Sequence, residues 1–157
     1  MGTATEEKTE PQVKNMEEKI PGLEVTWKQA KDLEWGDKFV STVQSAKKQF
    51  SNVNVVNCAD EWFIIKSLNR REYRNLVQTQ AEAMAKEVDA AADSANPDGV
   101  RATLSMMSEE AVAVQGVVYP VIDLDTVRSR ASGVATTLHD AILAISGYQN
   151  TPAPIKV

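Results

Sequence analysis

Apolar residues recur at two different spacings along the chain, and the change of spacing separates helix from strand. After Gly36 they follow one another at helical intervals and form one stripe, Phe39, Val43, Ala46 and Phe50. Between positions 52 and 67 the pattern changes to two runs of β-branched and aromatic residues with polar turn residues between them. This segment predicts a short antiparallel hairpin, the only strand pair expected, packed against helices because two strands are marginal alone.

Capping residues predict where several helices begin. Thr26 is followed three residues later by Gln29, and Asn69 is followed in the same way by Glu72, which is the spacing of a capping box. Asp37 is expected to cap the helix that carries the Phe39 stripe. The helix that begins after Asn69 has an apolar face that runs from Tyr73 through Leu76 and Val77 to Met84 and Val88.

Turn residues predict where the later helices end. Residues 96–99 read as a turn, and a further helix is expected between Val100 and Val118. Tyr119-Pro120 is expected to end that helix with a chain reversal, since the residue before proline resists the helical region. Asp123 and Asp125 are expected to cap a short helix. The last helix has apolar residues on one face and Gly147 after its end.

These elements predict a mainly α-helical α+β fold with one small hairpin and about five helical segments. Residues 1–22 are rich in glutamate and lysine and predict an arm that is flexible or becomes ordered on a partner. Residues 23–149 predict a single domain. Residues 150–157, which contain two prolines, predict a loose tail.

Composition narrows the classes of function. The chain has 157 residues, enough for one core, and a formal net charge of −5 from 17 basic and 22 acidic side chains, which disfavours nucleic-acid binding. The single cysteine, Cys58, allows no intramolecular disulfide and favours a reducing compartment. The sequence predicts neither a signal peptide nor a membrane span, because its apolar runs are too short.

Residue types that carry chemistry are few. His139 is the only histidine, and its neighbour Asp140 is expected to point about a hundred degrees away, so the two should not pair. Cys58 has no basic neighbour in the sequence that would lower its pKa. The chain has no glycine-rich phosphate loop and no spacing typical of a metal site. The sequence therefore predicts no active site, no metal and no cofactor.

Two groups of surface candidates remain. Trp27 and Trp35, with Phe39 nearby, lie outside the segment expected to form the main core, so they are candidate protein-binding residues. Packing in the core is the favoured role of the two tryptophans, and presentation to a partner is the alternative. Arg70, Arg71 and Arg74 cluster at a helix start and are interpreted as a solvated face or as partners of the many carboxylates.

Residues 60–149 resemble the tail-assembly and baseplate-hub assembly proteins of contractile-tailed bacteriophages. In that family an aromatic-aliphatic strand leads into a helix that opens with Arg-Pro-Leu-Thr-Arg-x-Glu-Tyr, and the matching segment here is Trp62–Tyr73, with Lys66-Ser67 in place of Arg-Pro. A Tyr-Pro step after a helix and a glycine-led last helix with a Ser-Gly-aromatic end complete the likeness. The residues that carry it are Trp62, Leu68, Glu72, Tyr73, Tyr119, Pro120, Gly133, Leu138, Ile142 and Gly147.

The resemblance implies a non-enzymatic, chaperone-like factor for tail or baseplate assembly. Its partners would be other phage tail or baseplate proteins, without cofactor, nucleic acid or membrane, and a homo-oligomer is compatible with it. It would act in the host cytoplasm during assembly. The alternatives are a structural subunit that stays in the virion and a small unrelated regulatory or enzymatic domain.

Overall fold

The computed structural model describes residues 15–91, 97–147 and 155–157. The six helices of these residues are α1 (Trp27–Asp32), α2 (Asp37–Gln49), α3 (Arg70–Ala91), α4 (Pro97–Gly116), α5 (Leu124–Ser129) and α6 (Ser132–Ile145). The strands are β1 (Val53–Cys58), β2 (Glu61–Lys66), β3 (Val117–Tyr119) and β4 (Ile155–Lys156). They form one antiparallel sheet in the order β3-β2-β1-β4. The predicted mixed α+β fold is confirmed.

Strands β1 and β2 form the predicted hairpin. They are joined by Ala59 and Asp60, whose φ angles of 52° and 62° are the positive values that a two-residue type I′ turn requires. The register pairs Val53 with Lys66. One further bond, from the Ser67 amide to the Asn52 carbonyl at 2.9 Å, closes the open end of the hairpin.

Both faces of the hairpin are covered, which explains why β2 reads as an unbroken apolar run rather than an alternating one. Side chains on one face join the N-terminal core, which includes Ile20, Leu23, Val25, Ala30, Trp35, Val40, Val43, Val53, Val55 and Ile64. Side chains on the other face join the C-terminal core, which includes Val56, Phe63, Ile65, Leu68, Val112, Ala113, Val134, Leu138, Ala141 and Ile142. The hairpin is therefore the layer between two helical layers.

The sheet has two strands that the sequence did not predict. Strand β3 follows α4 directly and pairs with Ile64 and Ile65 of β2. Strand β4 pairs with Asn54 and Val55 of β1. Both are only two or three residues long and pair with residues that are distant in the sequence, so no local pattern predicts them.

The ends of the described chain also differ from the prediction. Val157 is only 3% exposed, and its carbonyl accepts a hydrogen bond from Lys47 Nζ at 2.6 Å, so residues 155–157 are packed rather than loose. Residues 15–22 lie along α1, with Ile20 fully buried. The remainder of the predicted arm, residues 1–14, and the remainder of the tail, residues 150–154, lie outside the described residues.

Helix boundaries follow most of the predicted caps. The Thr26 capping box is present, but α2 has Gly36 at its N-cap, and Asp37 is its first helical residue rather than its cap. Helix α4 begins at Pro97, where a turn was expected, because proline fits the first helical position. It ends at Gly116, before Tyr119-Pro120, whose peptide bond is cis. Among the described helices, none is long and apolar enough to cross a lipid bilayer.

Candidate protein-binding surface

Two of the N-terminal aromatic candidates, Trp35 before α2 and Phe39 on α2, contact the sheet. Trp35 is 7% exposed, and its ring lies 5.1 Å from that of Phe39 and 5.7 Å from that of Trp62 on β2. Phe39 is half-buried, and the centroid of its ring lies 6.1 Å from that of Tyr119 on β3. Trp35 therefore lies in the core, which is the role that the sequence favoured over binding a partner.

Trp27 is half-buried and lines a cavity of about 390 Å³ beside Met16 and Trp35. Trp35 Nε1 is buried and has no hydrogen-bond partner among the residues that the structure describes. Of the three aromatic candidates, Trp27 and Phe39 keep part of their surface in solvent. The structure does not bring the three together as one exposed patch.

Helix α3 begins with the capping box expected at Asn69. Asn69 Oδ1 accepts the Glu72 amide at 2.8 Å, and Glu72 Oε1 accepts the Asn69 amide at 3.1 Å. Glu72 Oε2 also accepts from Lys66 Nζ at 2.8 Å, so the helix start is fastened to the end of β2. The hydrogen bond from Lys66, more than any other contact, holds the pKa of Glu72 below its ordinary value.

The rest of α3 contacts the protein along one narrow side. Four side chains at helical spacing are half-buried, namely Glu72, Tyr73, Leu76 and Gln80. None of the side chains that the structure describes on this 22-residue helix is buried. Val77 is 46% exposed although it belongs to the apolar face expected to pack. A helix that leaves apolar residues in solvent has surface available for a partner.

One flank of α3 opens into a groove of about 730 Å³, named here the arginine groove, and its lining includes Leu68, Arg70, Tyr73, Arg74, Val77 and Gly147. Arg70 and Arg74 are one helical turn apart and exposed. The floor is fastened by the Leu68 amide, which donates to Ser146 Oγ at 2.8 Å. Basic and apolar side chains therefore share one concave surface.

The other flank opens into a groove of about 410 Å³, named here the amide groove, whose lining includes Leu76, Thr79, Gln80, Val114, Gln115 and Leu124. Leu124 is 43% exposed. Gln80 Oε1 is buried and accepts no hydrogen bond from the described part of the chain. Apolar and amide side chains therefore line this groove together.

The residues that carry the family resemblance occupy three kinds of position. Leu68, Tyr73 and Gly147 meet in the arginine groove. Leu138 and Ile142 are fully buried in the C-terminal core. Trp62, Glu72, Tyr119 and Pro120 are half-buried, and Gly133 is exposed. Gly147 has a φ of 105°, the left-handed value expected of a glycine after a helix end.

Sequence reasoning did not identify Arg70, Arg74 and Val77 as lining one groove or Leu124 as lining another. The spacing of Arg70, Arg74 and Val77 already places them on one helix face, so this signal was present. The local sequence does not show that Gly147 lines the same groove, because Gly147 comes close to these residues only when α6 packs.

Groups that could carry chemistry are sparse in the described residues. His139 Nδ1 lies 2.9 Å from Asp140 Oδ1, so the expectation that these adjacent side chains cannot pair is wrong. No hydroxyl or thiol in the described residues hydrogen-bonds to the other ring nitrogen. Burial raises the pKa of the Cys58 thiol to about 11, which leaves it protonated at neutral pH.

Asp123 has a lowered pKa because it accepts the Thr126 amide and hydroxyl as the cap of α5, as expected. Within the described ranges, no group of three or more His, Cys, Asp and Glu side chains is placed to hold a metal ion. In comparisons with known proteins, no family model, no curated protein and no solved structure matches this chain.

Proposed function

We propose that the chain is a non-enzymatic, chaperone-like protein-binding factor in the assembly of a bacteriophage tail or baseplate, and that it holds its partner along α3. The observation that carries the binding part is the exposure of α3, a helix of 22 residues with no buried side chain among those described and a groove on each flank. The proposed role in phage tail assembly rests on the resemblance of residues 60–149 to tail-assembly and baseplate-hub assembly proteins.

Both grooves have the features of a protein-binding surface. Each combines half-exposed apolar side chains, Val77 in one and Leu124 in the other, with polar groups that can fix a partner's orientation. Their volumes of about 730 and 410 Å³ suit side chains of a partner that lies along the helix. Tyr73 and Leu76 of α3 are half-buried and pack against the C-terminal core, so a partner at the exposed residues of the helix would leave both cores in place.

The test is site-specific photocrosslinking in cells that are producing the phage tail. A photoreactive amino acid is placed at Val77 and, in a separate variant, at Leu124, and crosslinked products are identified by mass spectrometry. Val121 is the matched control, because it is 87% exposed and lines neither groove. Crosslinks from Val77 and Leu124 to a tail or baseplate protein, and not from Val121, are expected.

Each other outcome removes a stated part of the proposal. Products that contain only host proteins would contradict the phage role, and equal products from all three positions would contradict binding along α3. Mass spectrometry of purified particles then separates two roles. Absence of the chain from particles is expected for an assembly factor, whereas a stoichiometric copy number would make it a structural subunit.

A further inference from the structure

Within the described residues, three arginines at the start of α3 lack the carboxylate partners that two other arginines have. Arg70, Arg71 and Arg74 are exposed, and none forms an ion pair with a carboxylate in the part of the chain that the structure describes. By contrast, Arg128 is bonded to Glu110 and Arg130 to Glu61. Acidic residues outnumber basic ones by 22 to 17, so unpaired arginines are not a consequence of composition.

Their position on the helix is also electrostatically unfavourable. The N-terminal turn of a helix carries partial positive charge, so the cationic side chains of Arg70 and Arg71 in this turn are disfavoured. Glu72 is the acidic residue of this turn, and Lys66 is already bonded to it. The carboxylate of Glu72 is already used by the capping box with Asn69 and by Lys66. It therefore does not neutralise the positive charge of the arginine side chains. An external anion would relieve this repulsion.

Only two of the three arginines face the groove. Arg70 and Arg74 line it, whereas Arg71 lies about 100° further round the helix and does not. Tyr73, Val77 and Leu68 line the same groove and add apolar side chains to it. A ligand that satisfies this surface carries carboxylates at one edge and an apolar side chain next to them, since arginine binds carboxylates with two parallel hydrogen bonds.

We infer that the arginine groove binds an acidic and apolar segment of a partner protein, whose carboxylates pair with Arg70 and Arg74 and whose apolar side chain contacts Tyr73 and Val77. This inference rests on the proposed function, because it names the chemistry of the partner segment that α3 holds. Protein is favoured over nucleic acid because the net charge is −5 and the basic surface of the groove is limited to two arginines beside apolar side chains.

The test is selection of a random-peptide library displayed on yeast against the purified full-length chain. Selected peptides are expected to be enriched in glutamate or aspartate next to a large apolar residue. The affinity of the best peptide is then measured by fluorescence anisotropy for the native chain and for charge-reversed variants. Arg70→Glu combined with Arg74→Glu is expected to weaken binding by at least about tenfold. Arg71→Glu, the matched control, is expected to weaken it by less than about threefold.

A peptide in which lysine replaces the acidic residues is expected to bind the Arg70→Glu, Arg74→Glu variant better than the native chain. This charge exchange recovers binding only if the variant is folded, so it also controls for unfolding. Added salt is expected to lower the affinity of the acidic peptide, since the ion pairs are near the surface.

Several results would overturn the inference. They are a selection without acidic enrichment, an equal loss of affinity in Arg71→Glu, and a single-stranded oligonucleotide that displaces the peptide through Arg70 and Arg74. Tighter peptide binding after deletion of residues 1–14, which contain Glu6, Glu7 and Glu10, would instead identify this chain's own segment as the occupant. Crosslinks from Val77 to a tail protein that persist in the doubly reversed variant would keep the proposed function and remove only the acidic chemistry.

Discussion

Helices α3 and α6 both have an apolar face, but α6 is the more apolar of the two and they lie at different positions in the fold. Helix α6 has 14 residues, and four of them, Val134, Leu138, Ala141 and Ile142, are buried in the C-terminal core. Helix α3 has 22 residues, and none of its described side chains is buried. Both read from the sequence as amphipathic helices. An amphipathic pattern therefore indicates that a helix has an apolar face, but its apolar content and its contacts with other elements decide how much of that face is covered.

The difference in burial between the two helices separates residues that stabilise the fold from residues that stay exposed. Most helix stability in proteins comes from packing of an apolar face, and α6 has that packing in full. Helix α3 is held by its capping box, its ion pair to β2, contact with α4 and the half-buried Tyr73 and Leu76, which pack against the C-terminal core. Substitutions on α6 should therefore change the free energy of unfolding, whereas substitutions on the outer face of α3 should change binding.

The largest effect is expected from Ile142→Ala. Ile142 is fully buried on α6 and its loss leaves a cavity in the C-terminal core. We expect the free energy of unfolding to fall by about 2–5 kcal/mol, measured by urea denaturation followed by circular dichroism. Ile142→Val, which removes one methyl group, is the graded control and is expected to cost about 0.5–1.5 kcal/mol. An alanine variant as stable as the native chain would show that α6 is not the better-packed helix.

The next effect is expected from Gly116→Ala, which tests the packing of α4 on α6. A Cβ at Gly116 would lie 2.5 Å from Ile142 Cδ1 and 2.7 Å from Ile142 Cγ2, closer than real Cβ atoms come to other atoms. Its φ is not positive, so lack of space is the reason for the loss. We expect destabilisation by about 1–3 kcal/mol in urea denaturation.

A double-mutant cycle identifies the cause of that loss. In the Ile142→Ala background the obstructing atoms are gone, so Gly116→Ala should be much less destabilising than in the native chain. Equal losses in both backgrounds would mean that Ile142 is not what makes alanine unfavourable at this position.

A smaller effect is expected from Glu72→Gln at the start of α3. Glutamine keeps the shape but loses the ion pair to Lys66 and weakens the cap, so we expect a loss of about 1 kcal/mol near neutral pH. Because the pKa of Glu72 is lowered by folding, its contribution is complete above the ordinary glutamate pKa and is lost as the pH falls through the lowered value.

The pH dependence supplies the control for this variant. Stability measured by urea denaturation between about pH 6 and pH 3 should fall for the native chain, and part of that fall should be missing in Glu72→Gln. Two parallel pH profiles would indicate that other carboxyl groups account for the whole dependence.

The features that sequence analysis predicted correctly depend on residues close in the chain. The capping boxes at Thr26 and Asn69 and the glycine at position 147 each depend on bonds or backbone angles within about four residues. The hairpin also depends on a local turn, although its Ala59-Asp60 is not the usual Asn-Gly pair. For such features the local sequence contains the interacting partners.

The features that it missed depend on partners far away in the chain. Val117 becomes a strand residue because Ile65 offers a free edge, and Ile155 pairs with Val55 across about a hundred residues. The core position of Trp35 was favoured from the sequence, but its packing partner, Trp62 of β2, was not identified. The His139 and Asp140 contact was missed for another reason, since backbone geometry alone does not exclude contact between neighbouring flexible side chains.

The smallest effect on stability is expected from Val77→Ser, which completes the comparison of the two helices. Val77 is 46% exposed and lines the arginine groove, so replacing it removes little packing from either core. We expect the free energy of unfolding to change by less than about 0.5 kcal/mol, while the affinity for the selected acidic peptide falls severalfold. Val121→Ser, at an exposed position outside the groove, should change neither quantity. A loss of stability at Val77 comparable to that at Ile142 would show that α3 is held by its apolar face after all, and its exposed residues would then not be available for a partner.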